Sequence, residues 1–558
     1  MRGSRPAALG TVPSVSSPRT GSIGVPRRLD GTPVRARVRS ASAALGLAVV
    51  RTPELTVGAV GVLVAVAFSW VPSVWYDEAA TITSAQRSWG QLWAELHTVD
   101  AVHGLYYALM HAWFWLVGYT PFTLRLPSAL AVGVAAALVV ALGRRLAGLR
   151  VGVVAGIVFL LLPRVQWAGT EGRPYATITT LSILLTLVGI TAVRRTRSEH
   201  AVRWWVAYGV TALVAVTFNV YLSLAVVAHA VVLLWTLAAE RSAARASAAT
   251  VPPLVSRRVL VRWAVAAGAA AVVAAPFVLV VAGQAKQVGW IKGITEATRG
   301  QVFATAWFGA SDPYAAVAWT LMAIGVVAVF VGAHRRRTAV RDLLRAQTAR
   351  VALPLVVVPT AVLLVATALG ERLYSPKYAS LSLPFVAVLI ALALTTIRPK
   401  ALLATAVAVL LVVSVPTAVG AKREHAKQAS HWGAAAAVIA EQRALHPEAN
   451  EGVVFGSVYR HPTATSEIIR VSYPEAFSGL TDLAATKDGA ADGVLWNHNG
   501  DLATVVPSRL GTIDTVWYVG GTARSSEPKL QAVLAPRGFA ATKHWQTGKV
   551  VITEFTRS

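Results

Sequence analysis

Recurrent apolar stretches are the feature that most constrains this chain. They are roughly 17–25 residues long, which is the length that spans about 30 Å of hydrocarbon as an α-helix. Only 14% of the 558 residues are charged. Helices satisfy their own backbone polar groups in lipid, and the alternating pattern of a membrane barrel is absent. The sequence therefore predicts an all-α polytopic membrane domain.

The basic residues indicate orientation more than they indicate a partner. A formal net charge of +26 is compatible with nucleic-acid binding. However, Arg and Lys are concentrated in every second connection between the apolar stretches, for example at Arg194, Arg195, Arg197 and Arg203. This alternation is typical of the positive-inside rule. We therefore expect a plasma-membrane protein whose basic loops are cytoplasmic, with membrane lipids and no nucleic acid as partners.

Eleven spans are consistent with that rule. They are predicted near residues 55–71, 126–143, 151–166, 174–193, 204–218, 221–239, 263–284, 314–333, 351–369, 378–397 and 401–419. Residues 1–50 are rich in Arg, Ser, Pro and Gly and are predicted to be a disordered cytoplasmic segment. The membrane domain then covers residues 51–419, and residues 420–558 are extracytoplasmic. Residues 105–118 are short and aromatic, so we interpret them as a helix in the outer interface.

The predicted external segments bring together acidic and basic side chains. Asp77 and Glu78 follow the first span, whereas the later external loops contribute cations. Arg and Lys bind phosphate well, and a carboxylate can take a proton from a hydroxyl group. These loops therefore favour a reaction on an anionic lipid-linked substrate. Arg125, which precedes Leu126-Pro127, is instead expected to be an interfacial anchor.

Several motifs, in this order and at this spacing, carry a family resemblance. They are WYDEAAT, HGLYYALMHAWFWLVG, FTLRLPSALAVGVAAALVVALGRRLAG, EGRPYATITTLSILL, VGWI and RLYSPKYASLSLPF. Over nearly all of residues 55–397 the chain resembles the GT-C superfamily of polyprenyl-phosphate-sugar glycosyltransferases. Within it the chain is most similar to the family-39-like group, which includes protein O-mannosyltransferases and the lipid A aminoarabinose transferase. The Arg- and Ala-rich usage is typical of a GC-rich bacterium such as an actinobacterium.

The resemblance implies roles for individual residues. Asp77 is implied to be the catalytic base and Glu78 to orient the acceptor or support Asp77. Arg372 and Lys377 are the implied ligands of the donor phosphate, and Arg173 is implied either to bind that phosphate or to position Asp77. The candidates for contact with the sugar or the acceptor are Glu171, His103, Tyr107, Trp290 and Tyr374. Val102-His103-Gly104 stands where family members usually carry two prolines, and Tyr107 could equally belong to an aromatic belt.

The implied reaction is a single displacement with inversion. A sugar, mannose by resemblance, would move from a polyprenyl monophosphate to a hydroxyl group of an extracytoplasmic glycan, lipid or protein acceptor. The histidines do not share a helical face, so neither a metal nor another cofactor is indicated. The chain has no cysteine, which excludes a thiolate nucleophile. A lipid or solute transporter and a non-catalytic envelope scaffold are the alternatives, although the spans carry almost no mid-span charges.

The last 140 or so residues have a different pattern. Short runs at residues 452–457, 493–496, 514–521 and 549–555 have the length of strands, and residues 429–445 and 526–536 have helical patterns. This alternation predicts a small α/β domain with a mainly parallel sheet. The segment lacks a phosphate loop, so we expect acceptor recognition or a structural cap there.

Overall fold

The computed structural model of the chain describes residues 52–246, 253–335 and 340–558. The predicted disordered segment at residues 1–50, together with Arg336 and Arg337 of one basic loop, lies outside these ranges. The described residues are mostly helical up to Gly420, and strands occur only beyond Glu451. The predicted fold class, a helical membrane protein with a C-terminal α/β region, is confirmed.

The helices of the first part are apolar and closely packed. They are α1 Pro53–Val66, α2 Tyr76–Ala85, α3 Trp89–Thr98, α4 Gly104–Val117, α5 Pro121–Ala147, α6 Leu149–Leu161, α7 Pro163–Gly169, α8 Tyr175–Arg194, α9 Ala201–Phe218, α10 Ser223–Ala246, α11 Arg257–Gly283, α12 Glu296–Gly300, α13 Ala306–Phe308, α14 Asp312–Arg335, α15 Val340–Ala368, α16 Leu383–Thr396 and α17 Lys400–Gly420.

Nine helices in the described ranges are long and apolar enough to cross a membrane, and α6 with α7 makes a tenth if that pair, bent by 68°, is one span. The bend occurs at Pro163, whose missing N–H and ring interrupt a helix. The first predicted span is wrong in length, because α1 has 14 residues and ends at Val66. Helix α4 also has 14 residues and is not among the candidate spans.

The centre of the helical part is formed by α16 and α5. Helix α16 is almost completely buried and packs against α6 and α14, while α5 packs against α1, α6 and α8. Glycines permit the closest of these approaches. A Cβ atom added at Gly152 would lie 2.5 Å from the Val140 carbonyl oxygen of α5, which is closer than real side chains come.

The C-terminal region contains a five-stranded mixed sheet. Its strands are β1 Glu451–Phe455, β4 Thr481–Asp482, β7 Thr515–Gly521, β8 Phe539–Thr547 and β9 Val550–Arg557, in the order β4-β1-β7-β9-β8. Strand β1 is parallel to β4 and β7, whereas β9 is antiparallel to β7 and β8. The prediction of a mainly parallel sheet is therefore wrong, because β8 and β9 form a hairpin through Gly548, at φ +57°.

Smaller elements surround this sheet. They are the two-stranded pairs β2 Ser457–Val458 with β3 His461–Thr465 and β5 Ala485–Lys487 with β6 His498–Asn499, and the helices α18 Trp432–Arg443, α19 Glu467–Ser472, α20 Leu502–Arg509 and α21 Glu527–Leu534. The strand predicted at residues 493–496 is a turn, with the Val494 N–H donating to the Gly489 carbonyl at 2.9 Å. Arg87 and Tyr76 hold this turn in place by hydrogen bonds to Val494, Leu495 and Trp496.

The C-terminal region is attached to the segment that precedes α2. The Val74 N–H donates to the Tyr473 hydroxyl at 2.9 Å, and the Gly433 N–H donates to the Ser73 hydroxyl at 3.0 Å. Tyr119, which follows α4, donates to the Ser472 carbonyl at 2.8 Å. These contacts pack the C-terminal region against the segment before α2 and against the residues that follow α4.

Candidate active site

The two acidic residues of the WYDEAAT motif occupy the first turn of α2. Trp75 is extended and precedes the helix, which begins at Tyr76. A carboxylate is stabilised there by the helix dipole. Successive side chains on a helix point about 100° apart, so Asp77 and Glu78 face different surroundings.

Asp77 faces a pair of groups from later loops. Lys377, on the 3-10 helix Pro376–Ser382, donates to Asp77 Oδ2 at 2.7 Å, and both side chains are 19% exposed. Burial alone would raise the pKa of Asp77, but the charges of Lys377 and Arg173 outweigh burial and lower the pKa. The indole of Trp290 lies 5.1 Å from Lys377 Nζ and is 60% exposed. Asp77 is thus an ionised, partly exposed carboxylate beside cationic groups.

Glu78 points into the protein interior. Arg125 donates to its two carboxylate oxygens, from Nε at 2.8 Å and from Nη2 at 2.6 Å, and the Gly172 N–H donates to Oε1 at 2.8 Å. Both side chains of this ion pair are fully buried. Arg125 also donates to the carbonyl oxygens of Ser69 and Pro72. The prediction that Arg125 is an interfacial anchor is therefore wrong, and Glu78 does not face the Asp77–Lys377 pair.

Arg173, whose charge acts on Asp77, belongs to a buried polar chain. Its Nη1 donates to the Tyr107 hydroxyl at 2.9 Å, and that hydroxyl donates to Asp100 Oδ2 at 2.7 Å. Tyr107 is fully buried, so the alternative of an aromatic belt position is wrong for this residue. Arg173 Nε is buried without a hydrogen-bond partner among the described residues.

Two other predicted residues also bury a polar atom that has no partner in the described part of the chain. These atoms are His103 Nδ1 and the Tyr374 hydroxyl. Burial and the nearby charges of Arg173 and Lys377 lower the pKa of His103 well below its usual value, so its ring is neutral at pH 7. Buried polar atoms without partners are rare in native proteins and often face a ligand or water.

Arg372 and Glu171 stand apart from the Asp77–Lys377 pair. Arg372 is exposed, with φ at +46°, and no hydrogen bond or ion pair connects it to another described residue. Glu171 is fully buried, where it accepts from Lys427 Nζ at 2.5 Å and from the Trp75 indole at 2.7 Å. Burial raises the pKa of Glu171 and lowers that of Lys427. Glu171 therefore contacts the first residue of the WYDEAAT motif, Trp75, from the protein interior.

The C-terminal region contributes side chains above Tyr76. The His461 ring is stacked on the Tyr76 ring, with centroids 3.6 Å apart and planes inclined by 6°. The Trp496 indole donates to the Tyr76 hydroxyl at 2.9 Å. Arg87, which is ion-paired with Glu95 at 2.7 Å, donates to the Val494 carbonyl at 2.5 Å and to the Leu495 carbonyl at 3.3 Å.

Sequence reasoning missed four residues of this site: Arg125, Arg164, Lys427 and His461. Arg164 is buried on α7, its Nε has no partner in the ranges described, and its charge acts on Tyr374. The sequence could have indicated Arg164, because it directly follows a proline in an apolar segment. A charged side chain in such a segment is costly unless it has a partner or a ligand. Within the described residues, no group of three or more His, Asp or Glu side chains could hold a metal ion.

Known proteins resemble this chain in part of the sequence and in the fold. Residues 103–266 match a family model described as dolichyl-phosphate-mannose-protein mannosyltransferase. The apo structure of ArnT from Cupriavidus metallidurans is similar with a TM-score of 0.52 and 15% identity, covering 92% of this chain and 98% of that one. The same protein bound to undecaprenyl phosphate gives 0.49 and 14%, over 89% and 96% of the two chains.

A second solved protein is similar to a lesser degree. The apo oligosaccharyltransferase of Archaeoglobus fulgidus has a TM-score of 0.48 and 11% identity, over 91% of this chain and 75% of that one. No curated protein matches the sequence. The family match over residues 103–266 and the fold shared with ArnT support the resemblance to GT-C glycosyltransferases.

Proposed function

We propose that this protein transfers a sugar, with mannose as the first candidate, from a polyprenyl monophosphate to a hydroxyl group on the outer side of the plasma membrane. One observation carries the proposal. An ionised, partly exposed carboxylate, Asp77, is held at 2.7 Å from Lys377, and Arg173, whose Nε has no partner among the described residues, also acts on it by its charge. A base and cations in contact are what an inverting transfer from a phosphate requires.

The bond changes follow from that geometry. The acceptor oxygen forms a bond to the anomeric carbon while the bond between that carbon and the phosphate oxygen breaks. The bonding electrons leave with the phosphate, and the acceptor proton moves to Asp77. Lys377 and Arg173 stabilise the charge that grows on the phosphate, so proton donation to the leaving group is not required.

Other residues support this step. The Tyr374 hydroxyl and Arg164, both buried and lacking hydrogen-bond partners in the described structure, are further candidates for the phosphate. The exposed indole of Trp290 can cover the donor sugar, since aromatic faces pack well against sugar rings. Glu78 is a positioning residue, because its buried pair with Arg125 fixes the first turn of α2. Arg372 is accessible to a headgroup at the loop surface.

Substitution of Asp77 by Asn tests the proposal directly. Membranes containing the full-length variant are supplied with labelled polyprenyl-phosphate mannose, and label in membrane acceptors is measured. We expect transfer to fall by about 10²-fold or more, because general base catalysis contributes that much. Binding of the donor should remain.

The matched control is Asp312→Asn, which changes an exposed acid at the start of α14. Its transfer rate should equal that of the wild type. Unchanged transfer in Asp77→Asn would overturn the assignment of the base. If the wild type uses another polyprenyl-phosphate sugar in place of mannose, the class of reaction stands and only the sugar changes.

A further inference from the structure

His461, contributed by a strand of the C-terminal region, occupies a position beside the reaction centre. It lies flat on Tyr76, the residue that precedes Asp77, with ring centroids 3.6 Å apart. The contact connects α2 to β3, which are separated in sequence by the whole membrane part. Trp496 packs on the same tyrosine, with ring centroids 5.3 Å apart, and so fixes its orientation from a second direction.

The edge of the His461 ring is available to a ligand. None of its ring nitrogens has a hydrogen-bond partner among the described residues, although the side chain is only partly exposed. Burial lowers the pKa of His461, and its nearness to Asp77 opposes this effect. A neutral imidazole has one nitrogen that donates and one that accepts a hydrogen bond. The His461 ring can therefore both donate a hydrogen bond to a ligand and accept one from it.

The local backbone is arranged to aim this side chain. Arg460, at the turn between β2 and β3, has φ at +66°, a left-handed conformation that non-glycine residues rarely adopt. The pairing of β2 with β3 also shifts register between Ser457 and Val458. Strained turns and bulges of this kind often re-aim a side chain at a functional site.

From these contacts we infer that His461 binds the acceptor, by a hydrogen bond from its ring edge to a hydroxyl group of the acceptor next to the attacking oxygen. The inference rests on the proposed function and deepens it. It places the donor phosphate on the Lys377 side of Asp77 and the acceptor on the side of the C-terminal region. The acceptor class is then a polyhydroxylated molecule, such as a glycan, rather than an isolated alcohol.

The experiment compares His461→Ala and His461→Asn with His446→Ala, which alters an exposed histidine of the same region. Full-length variants in membranes that contain the native acceptors receive labelled polyprenyl-phosphate mannose. We expect His461→Ala to lower transfer on the order of ten-fold, the effect of losing one hydrogen bond to substrate, with the KM for the donor unchanged. His461→Asn, which keeps a donor and an acceptor group, should recover most of the rate.

The other outcomes are decisive in the opposite direction. If His461→Ala transfers as fast as His446→Ala, His461 does not bind the acceptor. If Ala and Asn variants are equally slow and both raise the KM for the donor, the residue only supports the fold and the inference is overturned. Absence of transfer by the wild type from mannose and from every other polyprenyl-phosphate sugar supplied would overturn the proposed function and the inference with it, whereas the preceding results affect the inference alone.

Discussion

At the scale of single residues, the pairing of Asp77 with Lys377 determines the chemistry of the site. A carboxylate buried without a cation would take up a proton, because burial disfavours the charged form. Lys377 and Arg173 reverse that tendency and lower the pKa of Asp77. Asp77 therefore stays ionised throughout the neutral pH range. A donor phosphate can compete with Asp77 for the ammonium group of Lys377.

Lys377→Met should move the acidic limb of the pH–rate profile upward. Transfer requires ionised Asp77, so the rate falls as the pH falls through the pKa of that group. In the wild type this pKa lies below its ordinary value. Without Lys377, burial raises the pKa and the loss of rate begins at a higher pH. The measurement is transfer at saturating donor between about pH 4 and 8, around the ordinary carboxyl range.

Lys286→Met is the control for this prediction, because Lys286 is an exposed lysine of another loop that is predicted to be external. Its profile should coincide with that of the wild type. An unshifted acidic limb in Lys377→Met would show that Lys377 does not set the ionisation of Asp77.

Glu78→Gln should destabilise the protein although the side chain at this position is buried and does not contact the substrate. The substitution leaves the guanidinium of Arg125 buried and without its countercharge. Loss of one partner of a buried ion pair costs about 3–5 kcal/mol of unfolding free energy. The measurement is the thermal unfolding midpoint of purified protein in detergent.

The control pair for Glu78→Gln is exposed. Asp501 and Lys529 form an ion pair whose side chains are 51% and 56% exposed. Asp501→Asn should leave the unfolding midpoint unchanged, because exposed ion pairs contribute little. A midpoint for Glu78→Gln equal to that of Asp501→Asn would contradict the structural role of the buried pair.

At the scale of elements, α5 and α6 form a helical hairpin whose backbones nearly touch. Gly143 on α5 and Gly152 on α6 face each other across the contact. Close backbone approach between membrane helices relies on such small residues. Because α5 carries Arg125, the packing of this hairpin also fixes the position of α2 and of Asp77.

Gly152→Ala should force this hairpin apart. Its new methyl group would lie 2.5 Å from the Val140 carbonyl oxygen and 2.7 Å from the Arg144 backbone nitrogen. Neither backbone atom can move without shifting α5, and overpacking of this kind costs about 1–3 kcal/mol. We expect a lower unfolding midpoint in detergent.

The matched control is Gly268→Ala within α11. A Cβ atom there meets nothing within 4 Å, and alanine favours helix more than glycine does. This variant should be as stable as the wild type or slightly more stable. Equal midpoints for the two glycine variants would contradict the close contact of α5 and α6.

The elements also show what the sequence could and could not predict. Long apolar runs predict helices well, and ten of the eleven expected spans correspond to helices, counting the bent pair, that pass as candidate spans in the described ranges. The mainly parallel sheet was predicted wrongly because β8 was not recognised as a strand, since most of its side chains are exposed and it lacks an apolar run. GVLW at residues 493–496 has the composition of a strand, but its backbone carbonyls bind Arg87.

The sequence could predict the residues of the candidate site that lie in recognisable motifs, but not those whose partners are known only from the fold. Asp77 and Lys377 stand in loop motifs whose residue types indicate chemistry. Arg125 was misread because a basic residue beside Leu-Pro resembles an anchor until its partner, Glu78, is known from the fold. Lys427 and His461 lie in the C-terminal region, and no local pattern indicates that they meet Glu171 and Tyr76.

At the scale of the whole molecule, the site requires that external loops and the C-terminal region share one side of the membrane. The contacts of Asp77 with Lys377, and of Tyr76 with Trp496, join them directly. The basic connections, such as the one that contains Arg150, are then on the opposite side. Absence of natural cysteines makes this arrangement simple to examine.

Single cysteines at Glu371 and Arg150, both exposed, should be labelled differently in intact cells. A membrane-impermeant maleimide should modify Glu371→Cys and leave Arg150→Cys unmodified until the membrane is opened. The measurement is the mass shift of the full-length chain after labelling. The reverse pattern would place Asp77 in the cytoplasm and exclude the proposed outer-face reaction.

The long sequence distances within the site have a consequence for synthesis. Lys377 follows Asp77 by 300 positions and Trp496 follows Tyr76 by 420. Translation that stops early thus gives a chain that contains Asp77 and Tyr76 but lacks Lys377 and Trp496. A chain cut short before position 377 lacks the cation that pairs with Asp77, and one cut short before position 496 lacks the indole that binds the Tyr76 hydroxyl.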